Sequence, residues 1–297
     1  MWEPDVCLAS LTRYRIGGPA IRFARPGSLA ELADVLRSLG DSTFHVLGWG
    51  ANVLVADRGV AHPVVSLAGE FDYLRVAADS IEAGSAAGLP ALVGEARREG
   101  RAGWDFLEAV PGSVGGGLRM NAGSAETGMW HRVLWADAMT PAGERVRVRS
   151  EEAAAGYRAI GLPEEWVFVA AAFAAPSADP AAVNALHAER RRRKVATQVY
   201  ELPSCGSIWK NPGPPHGSAW EVVDRAGMRG AVCGGAQITE RHSNFIANLG
   251  GATAADVLWL MAETRRRVAD AEGLWLEPEI CLWGFEADEL ASVGAVA

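Results

Sequence analysis

Cysteine is scarce in this chain. Cys7, Cys205, Cys233 and Cys281 are scattered over 297 residues without a CxxC pair, which excludes a disulfide framework and a dithiol redox motif. The six histidines, at positions 45, 62, 131, 187, 216 and 242, have no metal-ligand spacing, so no metal is expected. No apolar run exceeds the ten residues 166–175, too few to span a bilayer. The opening stretch, MWEPDVCLAS, lacks a basic region followed by an apolar one, so no secretory signal is expected. Basic excess is missing too. A net charge of −8 excludes wholesale attraction to nucleic acid or to an anionic membrane. There is no internal repeat and no low-complexity linker, and a reducing cytoplasm is the expected compartment.

What is present is ordinary globular composition, 49% hydrophobic and 22% charged, in a chain long enough for two or three cores. Ser28 and Glu31 stand at capping-box spacing ahead of Leu32, Val35, Leu36 and Leu39, with Gly40 as the stop, which predicts a helix. Leu89–Gly100 reads as a second helix. Asp179 and Pro180 open a third, which runs into the basic block Arg190–Lys194. Ser218 with Glu221, and Thr253 with Asp256, mark two more. Strands are expected in PVVSL, YLRVAA, SIEAGS, VLWADAM and ERVRVRS, the last two joined through TPAGE, and in the closing LWLEPEICLWG.

Glycine is abundant, 34 residues, and it clusters. LGWGANVLV sets Gly48 and Gly50 between two apolar strands. Without a Cβ such backbone can approach an anion closely, although a plain hairpin is the favoured reading of this stretch alone. A strand rather than a helix follows, so it is not the dinucleotide fingerprint GxGxxG. VPGSVGGGLRMNAG holds five glycines, 112, 115, 116, 117 and 123, beside Pro111 and Asn121. It is read as a loop whose ordering cost is offset by close approach to a flat, phosphate-bearing ligand.

YRIGG (14–18), LGWGANVLV (47–55), VPGSVGGGLRMNAG (110–123), GYR (156–158), PSCGSIWKNP (203–212), GGAQITERHSNFIANLG (234–250) and LEPEICLWG (276–284) occur in this order. Together they resemble the UDP-N-acetylenolpyruvoylglucosamine reductases, in their shorter, type II form, across nearly the whole chain. The resemblance implies an α+β chain: a two-lobed FAD-binding module of the vanillyl-alcohol-oxidase (PCMH) type over 1–68 and 69–176, then an α+β substrate-binding domain over 177–297. It implies non-covalent FAD, reduction by NADPH, and hydride transfer to the vinyl carbon of UDP-N-acetylglucosamine enolpyruvate.

The same resemblance implies the site residues. Leu47, Gly48, Gly50, Ala51, Asn52, Pro111, Gly112, Ser113, Gly115, Gly116, Asn121 and Gly123 would face the FAD. Arg158 would stabilise negative charge on the substrate carboxylate with fixed planar donors. Ser207 would protonate the carbon next to the one that takes the hydride, a general-acid step worth about 10²–10⁴-fold within about 3 Å, with Lys210 or a water relay making the proton available. Glu279 is chosen over Glu277 by motif position, because period 2 puts both on one strand face. Such a carboxyl group helps only if it holds or shares a proton. Lys210, Asn211, His242 and Asn244 are weaker candidates for substrate contacts. One or two members of Arg190–Lys194 are expected at the diphosphate, and Cys205 is expected to be a spectator. The chain departs from the family's usual residues at Trp49, Ala51 and Ile160. The alternatives are another FAD-dependent oxidoreductase on the same module, or a flavin-free UDP-sugar-binding protein. Oligomeric state is not legible.

Overall fold

The computed structural model describes residues 2–124 and 126–296. The chain forms two compact units, each discontinuous in sequence: one of residues 1–3, 22–49 and 62–194, the other of residues 4–21, 50–61 and 195–297.

Among the described residues the first unit holds two sheets. Trp2–Glu3, Phe23–Ala24, Val64–Val65 and His45–Val46 make a four-stranded sheet in that order. Helix α1, Leu29–Leu39, is packed through Leu32, Val35, Leu36 and Leu39 into a core shared with Val65, Val167 and Val169. Its start follows the expected capping: Ser28 Oγ accepts from the Glu31 amide at 3.2 Å, while Glu31 accepts from the Gly27 amide at 2.7 Å. A five-stranded sheet runs Arg145–Val148, Val133–Met139, Val167–Ala174, Ser80–Gly84, Leu74–Val76, antiparallel throughout. Thr140–Glu144 closes the hairpin expected at TPAGE. Helix α2 (Leu89–Arg98) and helix α3 (Val114–Arg119) cover a second core containing Ile81, Trp104, Leu107, Trp130 and Phe173.

Helix α3 corrects the loop expected at VPGSVGGGLRMNAG. Ser113 caps it, accepting from the Gly116 amide at 3.2 Å. Three glycines disfavour a helix by about 1 kcal/mol each relative to alanine, and packing overrides that preference. A Cβ at Gly117 would stand 2.4 Å from Met129 Sδ, so only glycine lets α3 lie this close to its neighbours. Helix α4, Pro180–Thr197, starts as expected, with Asp179 accepting from the amides of Ala181 and Ala182 at 3.2 and 3.3 Å.

The second unit is built on helices α5 (Ala219–Arg225), α6 (Ala254–Glu272) and α7 (Ala287–Val293), with the sheet Val232–Cys233, Ala236–Ile238, Ile246–Asn248. Thr253 and Asp256 form the expected capping box of α6, and Asp57 adds a second carboxylate at its first two amides, 2.8 and 3.1 Å away. Val53–Val55 pairs in parallel with Cys281–Trp283. This overturns the hairpin reading of LGWGANVLV. His45–Val46 pairs instead with Val64–Val65 in the other unit, and the two strands flanking the glycine turn never meet. Among the described residues no helix is long and apolar enough to cross a membrane.

Candidate active site

Ser207 and Glu279 lie on neighbouring extended segments of the second unit. Trp209 and Pro278 form an antiparallel bridge, flanked by Glu279 N–H donating to the Ile208 carbonyl at 2.7 Å and Lys210 N–H to that of Glu277 at 2.9 Å. Ser207 is half-buried and bridges Phe245 on its other side. The structure separates the two glutamates that alternation could not. Glu277 is exposed and pairs with Lys210 Nζ at 3.4 Å, whereas Glu279 is half-buried. Cys205 is buried, and burial pushes its thiol far above the ordinary range, which fits a spectator rather than a nucleophile.

The other residues carried over to substrate have local work as well. Asn244 is buried and gives both ends of its amide to Trp209: Oδ1 accepts from the Trp209 N–H and Nδ2 donates to its carbonyl, each at 2.9 Å. Asn211 Oδ1 accepts from the Ala219 amide at 2.9 Å, at the start of α5. His242 is half-buried against Phe245, 4.7 Å between ring centres, and burial lowers it to about 4, so it is neutral at ordinary pH.

The glycine positions divide between the units. In the first, Gly48 is exposed on one side and backs onto Ser113, whose Oγ would stand 2.3 Å from an added Cβ. Gly116 is exposed, and a Cβ there would meet only Ser113 Oγ at 3.4 Å. Its Cα therefore opens onto free space, the bare surface a flat ligand needs for close approach. Gly112 accepts from the Leu89 amide, and Gly115 packs on Ser85. Gly123 bridges Gly128. Leu47 is buried, and Pro111 precedes the α3 cap. In the second unit, Gly50 has φ +59° and its Cβ would strike the Leu11 carbonyl, so no other residue fits. Ala51 follows, half-buried, and Asn52 Nδ2 donates to the Glu279 carbonyl at 3.1 Å. At the departures, Trp49 lays its indole over Gly88 and donates to the Ala86 carbonyl, while Ile160 packs against the second core of its unit.

Arg158 belongs to the first unit. It occupies a tight turn in which Gly156 and Ala159 pair, and its φ is +56°, an uncommon value for a residue with a side chain. Asn121, carried over as a flavin contact, donates from Nδ2 to the Gly156 carbonyl at 2.8 Å and accepts from the Trp130 amide at 3.1 Å.

The basic block has partners that the sequence reading missed. Arg190 pairs with Asp105 at 3.0 Å, Arg191 with Glu108 at 3.3 Å, and Lys194 donates to the Glu108 carbonyl at 2.7 Å. His187 Nδ1 donates to Glu108 at 2.8 Å, both side chains nearly inaccessible. Burial lowers Lys194 to about 8, with nearby Arg158 and Arg190 adding to it and Glu108 opposing. The signal was present: 187, 190, 191 and 194 share one helical face, and 105 and 108 are three apart.

Two family models match this chain: an FAD binding domain over residues 20–149, and the C-terminal domain of UDP-N-acetylenolpyruvoylglucosamine reductase over 198–283. A Paramagnetospirillum magneticum protein of that name is 40% identical over 285 residues, 96% of this chain and 92% of that protein. The chain belongs to the UDP-N-acetylenolpyruvoylglucosamine reductase family. The Rhodospirillum rubrum reductase is 37% identical, covering 97% of this chain and 92% of its own. The crystal structure of the Thermus caldophilus reductase superposes with a TM-score of 0.83 at 32% identity, over 95% of this chain and 99% of that one. The α+β architecture, with a flavin module ahead of a C-terminal domain, is thereby borne out. Like the other reductases, this chain is an oxidoreductase with an FAD-binding domain.

Proposed function

We propose that this chain reduces UDP-N-acetylglucosamine enolpyruvate to UDP-N-acetylmuramate with NADPH and FAD, in cytoplasmic peptidoglycan precursor synthesis. The two family matches fall within the flavin lobes assigned to 1–68 and 69–176 and the substrate domain assigned to 177–297. The exposed Cα surfaces of Gly48 and Gly116 fit the flavin's seat. A flavin held against Gly48 and Gly116 would supply, after reduction by NADPH, the hydride for the vinyl CH2 carbon.

The chain's own residues do the rest. Hydride addition places an electron pair on the carbon bearing the carboxylate and spreads it into that carboxylate. Arg158, with its planar fork of donors, stabilises the growing charge on the carboxylate. Ser207 delivers a proton to that carbon, completing the addition of two hydrogens across the double bond. Glu279, on the segment that pairs with that of Ser207, is the third residue acting at that carbon.

The observation that carries this reading is the pairing of the Ser207 and Glu279 segments, with Glu279 half-buried and its rival Glu277 exposed and paired. The test is turnover in deuterium oxide. The product should be UDP-N-acetylmuramate with one deuterium on the carbon next to the carboxylate, and Ser207→Ala should slow flavin reoxidation by about 10²-fold or more while sparing flavin reduction. A variant that slows both steps equally would remove Ser207 from the protonation step.

A further inference from the structure

Three asparagines carried over as flavin or substrate contacts direct their side-chain amides at the protein backbone. Asn121 Nδ2 donates to the Gly156 carbonyl at 2.8 Å, two residues before Arg158. Asn52 Nδ2 donates to the carbonyl of Glu279 itself at 3.1 Å, and the Asn52 carbonyl accepts from the Cys281 amide at 3.0 Å. Asn244 brackets Trp209, two residues after Ser207, and its carbonyl takes the Ile208 amide at 2.9 Å. Each segment bearing a candidate catalytic residue is thus tied by one asparagine.

We infer that Asn52, Asn121 and Asn244 are positioning residues, which hold the backbone of Glu279, Arg158 and Ser207, rather than contacts to flavin or substrate. The physical need is clearest at Arg158. Its left-handed backbone is an unfavourable conformation for a side-chain-bearing residue and persists only if its surroundings enforce it. Within the turn, Ala159 N–H reaches the Gly156 carbonyl at only 3.4 Å, so the 2.8 Å bond from Asn121 is the shorter hold on that oxygen. Asn121 is itself fixed, since it is buried and its Oδ1 is engaged by Trp130. At Glu279 the Asn52 bond adds a side-chain tie to a segment whose own amide is already held by Ile208. Asparagine suits Asn121 and Asn244 because one short planar group offers a donor and an acceptor together.

The inference rests on the reading that Arg158, Ser207 and Glu279 act on the substrate. Its test is the set Asn52→Asp, Asn121→Asp and Asn244→Asp, which keep the shape and the acceptor but lose the donor. Each variant should retain flavin in the holoenzyme and be reduced by NADPH within about twofold of the parent, while reoxidation by substrate slows about ten- to hundredfold. In flavin-free protein, hydrogen exchange of the Gly156–Ala159 turn should rise severalfold in Asn121→Asp. Gly128→Ala provides a second route, because its Cβ would stand 2.1 Å from Asn121 Oδ1 and must displace that amide without touching Arg158. It should reproduce the Asn121→Asp kinetics. Loss of flavin with unchanged reoxidation would overturn the inference in favour of cofactor contacts. Parent-like reoxidation in the asparagine variants and in Gly128→Ala, with slow reoxidation in Arg158→Ala and Glu279→Ala, would overturn it alone. Parent-like reoxidation in Arg158→Ala and Glu279→Ala would overturn it together with the reading beneath it.

Discussion

Gly48→Ala should destabilise the first unit by about 2–4 kcal/mol, and a second substitution should undo most of the loss. An added Cβ would lie 2.3 Å from Ser113 Oγ, and real Cβ contacts are essentially never under 3.0 Å, so something must move by roughly 0.7 Å or more. Ser113 is the obstacle. It is buried, and its Oγ caps α3 by accepting from the Gly116 amide. Overpacking of this kind costs about 1–3 kcal/mol, and losing the cap adds about 1. Ser113→Gly alone should cost only a few tenths of a kcal/mol, because glycine is tolerated at the N-cap. The double variant should lie near Ser113→Gly, giving a coupling energy of about 2–4 kcal/mol in magnitude. Urea unfolding of the flavin-free protein followed by circular dichroism measures all four corners of the cycle. Additive costs would refute the claim that these two residues meet back to back.

Three further outcomes concern buried titratable side chains. Glu108→Ala leaves inaccessible His187 beside an empty acceptor position and should cost about 3 kcal/mol in urea unfolding, with weaker flavin retention because Glu108 directly precedes the loop 109–113. Lys194, lowered to about 8 from 10.5, gives a pH dependence whose sign is set. The unfolded chain binds this proton more tightly, so unfolding takes up protons between pH 8 and 10.5, and stability rises with pH across that window. The melting temperature of the parent should therefore climb relative to Lys194→Met from pH 8 to 10.5, and a flat difference would contradict the shift. Cys205→Ala should retain turnover within about twofold, since the buried, protonated thiol takes no part; complete loss of turnover in a folded variant would restore it as a reactive group.

Legibility followed the range of the interactions. The starts of α1, α4 and α6 were readable because Ser28, Asp179 and Thr253 cap amides within three residues. The TPAGE hairpin was readable for the same reason. Pairing of Val53–Val55 with Cys281–Trp283 was not, because a parallel partner so far along the chain leaves no local pattern. The VGGG run misled in the opposite direction. Its composition opposes a helix, and burial of Val114 and Leu118 in the second core, with the Ser113 cap, overrides that preference. Motif order singled out Ser207, Glu279 and Arg158 as candidates, whereas the destinations of the Asn52, Asn121 and Asn244 amides depend on backbone elsewhere in the fold. Asp105 and Glu108 escaped notice because their spacing meets the face of His187, Arg190 and Arg191 only once the fold brings the distant α4 onto them.

The most direct test of the central claim is anaerobic stopped-flow absorbance at the flavin's long-wavelength band. The account predicts yellow protein that bleaches with NADPH and regains colour on adding UDP-N-acetylglucosamine enolpyruvate, releasing one UDP-N-acetylmuramate per flavin reoxidised. Protein that bleaches but does not recover with this substrate, or that cannot take up FAD at all, would contradict it.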